Sequence, residues 1–511
     1  MPNATTKPEL FFGLIAPVGS DLSGIIEELK RSLVDVGYQT ETVHLIELIH
    51  ELERWKDLPE TPLDDRINKH MDAGNELRRE TKRGDAIAML GVGNIQKLRS
   101  LRSGKREEPA PNIAYILRSL KHPSEVETLR RIYQAGFFGI AAYSPRNRRV
   151  EHLASSIAES HHRFQSGEFR AGAEALSQRD EAEADRFGQD VRDTFPLADL
   201  FVDTSDPPGA SRSIKRFIEL LFEHPFHTPT KDESAMFHSQ AAALRSSSLG
   251  RQVGAVITTM EGNIIAVGTN EVPKAAGGFY WCDDTPDHRD FTLGYDTNDK
   301  IKVNIITEII QYLSEAGWLT EDKRRTDIQQ LVSLAVRGDE RVIPRTAQVM
   351  NVTEFGRSVH AEMAAITDAA RRGIPLAGAT LYTTTFPCHN CTKHIVAAGI
   401  SRVVYVEPYP KSLAVDLHLD AIEVDAPAGG ASVNFKPFVG ISPRRYIDLF
   451  TAGKSKTDEG GVITWNASSS TPRFASMYPL YVVNETKMLS EFYKMLDERQ
   501  LQAVRSKRGE E

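Results

Sequence analysis

"SVHAEMAAITDAARRG" (358–373) and, one short apolar run later, "TLYTTTFPCHNC" (380–391) place two of the chain's three cysteines three residues apart, downstream of a His-Ala-Glu. Three cysteines cannot build a disulfide framework, and in a reducing compartment a Cys-x-x-Cys more often serves metal or redox chemistry. A hydrolytic zinc site takes three protein ligands, because a fourth would leave no position for water. His360, Cys388 and Cys391 supply that number. The first stretch predicts a helix that starts at the histidine, and Pro387 stands just before the next helix, where proline is tolerated. Cys388 and Cys391 on that first turn share a face, and a helix N-terminus favours the thiolate that zinc requires. Glu362 lies too near His360 in sequence for a comfortable fourth ligand, and a carboxylate beside the water position suits a proton shuttle. A redox dithiol would give His360 and Glu362 no role. A structural zinc would want a fourth ligand, for which the spare cysteine is Cys282. His389 and His394 are expected to be bystanders. Cys282, in "WCDDTPDH", is read either as core or, with His288, as a second metal site.

Composition sets the frame around this motif. With 511 residues, 40% hydrophobic and 26% charged, the chain is expected to hold two or three domains with full cores. A formal net charge of −8 excludes a global attraction to phosphate backbones. No apolar run approaches the roughly 20 residues needed to cross a bilayer, and "MPNATTKPEL" lacks the form of a signal peptide. The sequence reads as cytosolic, without a membrane partner.

Strands alternate with helices along the first 225 residues. "ELFFGLIAPVG" (9–19) leads into "SDLSGIIEELKRSLVDVG" (20–37), whose Leu22, Ile25, Ile26, Leu29 and Leu33 recur at helical spacing up to Gly37. In 112–145 two apolar strands flank a helix starting after Pro123, and "PLADLFVD" (196–203) precedes a helix over 210–224. The pattern predicts a mostly parallel sheet covered on both faces. The charged stretch 170–193 is read as a solvated helix. A second α/β pattern begins near 231, with a helix over 233–247, strands over 251–259 and 263–270, and a tight turn at 261–262. An insertion, 271–351, carries its own helix (302–317) and is read as a lid, interface or regulatory element. Residues 452–511 are read as a surface linker followed by an amphipathic helix over 484–501.

The pair of motifs, H-x-E followed by P-C-x-x-C, is the signature of zinc deaminases, in which water attacks the ring carbon bearing the amine and the Glu moves protons. The 231–451 segment resembles the cytidine and deoxycytidylate deaminase superfamily, most of all its deoxycytidylate branch, through "LRSSSLGRQVGAVITTMEGNIIAVGTNEVPK" (244–274) and "TLYTTTFPCHNCTKHIVAAGISRVVYVEPYP" (380–410). The resemblance implies a five-stranded sheet sandwiched by helices, with zinc between two helix N-termini. It implies a sugar contact for Asn270, pyrimidine seating by Ala361 and the backbone near Thr385, and phosphate contacts for Arg245 and Arg251. Two positions depart from the family pattern. Ala364 stands where Asn is frequent, and Glu271 where Gly is frequent; both speak against a strictly monophosphate substrate.

Residues 1–225 resemble a degenerate P-loop kinase, and the two halves together resemble bacterial anti-phage dCTP deaminases. The expected fold class is therefore α/β: an N-terminal P-loop kinase-like parallel sheet and a C-terminal cytidine deaminase-like α/β/α sandwich. The candidate phosphate loop, Gly13, Gly19 and Ser20 in "GLIAPVGSDL", has five residues between its glycines and no following Lys, which argues for sensing or scaffolding over phosphoryl transfer. The resemblance implies zinc-dependent deamination of dCTP, with dCMP as a second substrate, draining the cytosine pool of an infecting phage. It also implies a homo-oligomer, and a regulatory nucleotide, RNA or protein inhibitor. A tRNA or single-stranded DNA editing deaminase would need a basic, aromatic-lined channel. A nucleotide or RNA sensor with a relic deaminase fold would have no need of Glu362.

Overall fold

The computed structural model describes residues 7–183, 185–338, 341–344, 347–408, 412–425, 432–473 and 480–496. Its strands, in chain order, are β1 (Leu10–Ile15), β2 (Gln39–His44), β3 (Ile113–Leu120), β4 (Phe137–Tyr143), β5 (Leu200–Asp203), β6 (Gly254–Thr258), β7 (Ile264–Thr269), β8 (Thr380–Thr385), β9 (Arg402–Glu407), β10 (Ile422–Val424), β11 (Val433–Pro437) and β12 (Gly440–Ile441). Two compact units form: residues 1–233 with 439–511, and residues 234–438. No helix among the described residues is long and apolar enough to cross a membrane.

The first unit is built on a sheet in the order β12-β5-β4-β1-β3-β2. Strands β1 to β5 run parallel, and β12 adds antiparallel to β5. The all-apolar β1 and β4 are buried from end to end apart from Tyr143, as strands covered on both faces must be. Helix Ser23–Asp35 stops before Gly37, whose φ of +82° reverses the chain at low cost. Pro123 is itself the first residue of helix Pro123–Tyr133, one place earlier than expected.

Two expectations are corrected in this unit. Helix Arg170–Glu181 is not merely solvated: Ala173, Leu176, Ser177 and Asp180 are buried along one face. The C-terminal boundary at 451 is also displaced, because residues from 439 onward return to the first unit. There, Ile441 and Leu449 join the core, and Trp465 Nε1 donates to the Phe222 carbonyl at 2.9 Å. Helix Tyr481–Tyr493 buries Glu485, which takes Arg99 Nη1 at 2.6 Å, while Arg99 Nη2 lies 2.8 Å from Glu9 Oε2. The exposed run 452–461 fits a surface linker, and the expected helix beyond 496 lies outside the described residues.

The second unit carries a sheet in the order β10-β11-β9-β8-β6-β7. Strand β6 is antiparallel to β7 and β8, and the remaining pairs are parallel. The sheet has six strands rather than five, because the three-residue β10 adds an edge. The insertion is helical, with Thr297–Glu315 packed on Ile328–Val336 around Ile306, Val332, Ala335 and Val336.

Candidate active site

Helix Ala361–Arg372 is seated by small residues. An added Cβ on Gly268 of β7 would stand 2.0 Å from the Ala361 carbonyl oxygen and 2.5 Å from the Ala365 nitrogen, so only glycine lets helix and strand approach this closely. Ala361, Ala364, Ala365 and Ala369 are fully buried along that contact. Ala364, the departure from the family pattern, is thus a packing residue in this chain. The seating fixes His360, the extended residue that caps the helix start.

Strand β8, also fully buried, runs through Thr385 to Cys388, the extended residue capping helix His389–Ala397. The two helix starts bring His360 Nδ1 within 3.3 Å of Cys388 Sγ and 3.4 Å of Cys391 Sγ. Glu362 Oε2 lies 3.4 Å from Cys391 Sγ, and the Glu362 carboxyl is only 4% exposed. A hydrogen bond from Cys391, together with His360, pulls Cys388 down to about 4, and the Cys388 contact raises His360 to about 9. Contact with Cys388 and burial push Cys391 up, and burial pushes Glu362 up. One imidazole nitrogen and two thiol sulfurs, gathered at two helix N-termini, fit a borderline-soft divalent cation such as zinc.

The other expected contacts sit differently. Asn270 is buried, with its amide holding a loop: Oδ1 accepts from Val253 N at 2.7 Å and Nδ2 donates to the Arg251 carbonyl at 2.7 Å. Glu271 completes this clamp. Its Oε2 accepts from Ser247 N and Oγ at 3.0 and 2.8 Å, while its carbonyl accepts from Val359 N at 3.0 Å, one residue before His360. The residue that departs from family pattern therefore fastens the 246–253 loop beside the histidine. Sequence reasoning missed this role, because Glu271 lies 24 residues from Ser247 and no local pattern joins them.

Arg245, expected as a phosphate contact, is engaged within the protein. Its guanidinium lies 3.5 Å over the Trp281 ring, bonds the Phe279 and Tyr280 carbonyls, and lines a cleft of about 460 Å³ that includes Val359 but none of the trio. Arg251 is half exposed and pairs with Glu407 at 3.0 Å. Ala361 is buried in the helix contact, and the Thr385 carbonyl accepts from Thr383 Oγ1 at 3.1 Å. Cys282 is exposed, not core, and belongs to no metal-sized cluster among the described residues. His389 Nε2 faces Glu354 at 3.6 Å.

In the first unit, Gly13 lies inside β1, not in the turn; a Cβ there would meet Leu120 and Phe137 at 2.6 and 2.8 Å. Gly19 and Ser20 do lie in the turn after β1, and the Ser20 hydroxyl is buried with no hydrogen-bond partner among the described residues. The Val18 N–H in that turn donates to Asp180 at 2.7 Å.

The sequence model of the cytidine and deoxycytidylate deaminase zinc-binding region matches residues 229–407. Deoxycytidylate deaminase of Enterobacteria phage T4 is 31% identical over 165 residues, 32% of this chain and 69% of the relative. That of phage T2 is 35% identical over 106 residues, 20% of this chain and 56% of the relative. A solved dCMP deaminase from cyanophage S-TIM5, in complex with dCMP and dUMP, aligns with 42% of this chain and 99% of its own, at 18% identity and a TM-score of 0.23. With the T4 relative matched over more than two thirds of its length and a zinc-binding region matched across the His/Cys/Cys trio, zinc is the cofactor and the chain belongs to the cytidine and deoxycytidylate deaminase family.

Proposed function

We propose that residues 234–438 hydrolytically deaminate deoxycytidine nucleotides, dCTP ahead of dCMP, and that this drains the dCTP pool as a defence against phage. The observation that carries the reading is the buried Glu362 carboxyl in contact with the His360/Cys388/Cys391 cluster. Zinc held by those three side chains supplies a Lewis acid that makes water nucleophilic at neutral pH. Glu362 takes one proton from the attacking water and passes it to the ring nitrogen, then takes the second proton of the same water from the hydroxyl now on the ring carbon and passes it to the amino group, which leaves as ammonia while that oxygen becomes the carbonyl. A buried carboxyl, whose protonated form is favoured by desolvation, suits a group that must hold a proton between steps. The names of the phage relatives support a deoxycytidine nucleotide as substrate. Glu271 in place of the frequent glycine supports a phosphate end unlike that of a strict monophosphate enzyme.

The first unit is read as a degenerate P-loop kinase-like regulatory domain. The parallel order β2-β3-β1-β4-β5, with a turn and helix after the central β1, supports this. The turn is not equipped for phosphoryl transfer: its Val18 N–H faces the Asp180 carboxylate, and Lys121 binds the Ala16 carbonyl and Asp180. Control by a nucleotide, RNA or protein inhibitor, and assembly as a homo-oligomer, belong to the same reading.

Zinc-loaded protein incubated with dCTP, dCMP, CTP and single-stranded DNA tests it. Ammonia release from dCTP, absent in Glu362→Ala, is the expected result. Release from DNA alone would replace the pool-draining function with nucleic-acid editing.

A further inference from the structure

A second metal-sized cluster lies in the first unit. Glu47 and His50 come from the short helical segment Leu45–Glu51, Glu60 from the following loop, and His70 from helix Leu63–Thr81. One ligand atom from each falls within 4.8 Å of the others. His50 Nε2 and His70 Nε2 face each other at 2.9 Å. The opposite nitrogen of each ring points at a carbonyl oxygen, His70 Nδ1 at Arg66 O (2.7 Å) and His50 Nδ1 at Lys56 O (3.3 Å). A carbonyl only accepts, so the tautomers protonated at Nδ1 satisfy both contacts and turn the two Nε2 lone pairs toward each other. Two lone pairs at this distance repel unless a proton or a cation lies between them.

The surroundings favour a cation. Nδ1–H donation to a carbonyl is the usual way a protein orients a metal-binding imidazole. Glu60 Oε1 lies 3.3 Å from His50 Nε2, while its Oε2 takes Arg66 Nε at 3.0 Å. Arg66 also holds Glu47, so one guanidinium orients both carboxylates. His70 is 4% exposed, so its ring is held in place by the protein around it. His70, Glu47 and Arg66 form part of the wall of a cavity of about 520 Å³ at the carboxyl ends of β1, β2 and β3, lined also by Arg118 and Lys121.

We propose that His50, His70 and Glu60, with Glu47 beside them, bind a first-row divalent transition metal ion, with zinc the first to test. Two imidazoles with carboxylate oxygens are a donor set for such ions. The ion clamps the Leu45–Glu51 segment to helix Leu63–Thr81 and so fixes one wall of the cavity.

Full-length protein stripped with chelator and titrated with Zn²⁺ against a chromophoric competitor tests this independently of deamination. Wild type is expected to bind two equivalents. His50→Gln should bind one, and Glu60→Gln should weaken one of the two by roughly tenfold or more. Cobalt titration of wild type separates the sites without any variant. The first site, with its thiolates, gives intense sulfur-to-metal charge transfer, and the second equivalent is expected to add weaker ligand-field absorption without it. One equivalent in wild type, or two retained by His50→Gln, would overturn the proposal and assign the His50–His70 contact to a shared proton.

Discussion

Glu362 and Cys391 separate chemistry from metal binding. Glu362→Gln keeps size and hydrogen bonding but cannot carry the proton, so turnover should fall by at least ~100-fold with zinc content unchanged, measured by ammonia release beside metal analysis. Cys391→Ser should lose zinc from this site together with activity. Glu271→Gly, which restores the frequent family residue, removes the acceptor of the Ser247 N–H and hydroxyl and should cost about 1–3 kcal/mol, read as a lower Tm. The trio was legible because zinc dictates residue type and spacing. Glu271, Asn270 and Arg245 were not, since their partners lie 17 to 35 residues away and only folding decides which groups they meet. His50 and His70 escaped notice for the same reason: neither is part of a local motif, and a 20-residue gap separates them.

Helices and strands were readable where an apolar pattern was long. Strands β1, β3 and β4 announce themselves as apolar runs, β8 by the β-favouring threonines of "TLYTTT", and helix Ser23–Asp35 by its stripe. Strand β2, "QTETVH", is an edge strand with one buried residue, and β10 and β12 span three and two residues, too short for any period to emerge. The decisive contact at this scale is glycine against alanine. Gly268→Ala would drive a methyl into the Ala361 and Ala365 backbone, which has no rotamer to yield. The helix must move away, carrying His360 with it. We expect a loss of about 1–3 kcal/mol in a denaturant titration and weaker zinc retention, whereas Gly453→Ala, with no atom near its added Cβ and no positive φ, should leave zinc binding intact.

Over the whole chain the first unit is discontinuous, with the second unit inserted between Glu233 and Val439. The two crossings are stitched within the first unit by one side chain: Glu233 takes Arg216 at 2.7 Å and accepts the Ile441 N–H at 2.8 Å. Farther along, Arg99 is fully buried between Glu9 and Glu485. Arg99→Met would leave two buried carboxyls without their cation and should destabilise the first unit by about 3–5 kcal/mol, seen as an earlier calorimetric transition, while zinc stays bound at Cys388 and Cys391. Two α/β units were legible in the alternation of strands and helices. The return of the chain was not, because a two-residue strand and one buried Glu leave no pattern in sequence. That return also imposes an order in time. A ribosome delivers all of residues 234–438 before β12 and Glu485 emerge, so the catalytic unit is made and able to fold while its neighbour still lacks an edge strand and half the counter-charge of Arg99. Completion of the first unit therefore follows synthesis of the whole second unit, and a chain cut short after 438 carries the whole catalytic cluster on an unfinished companion.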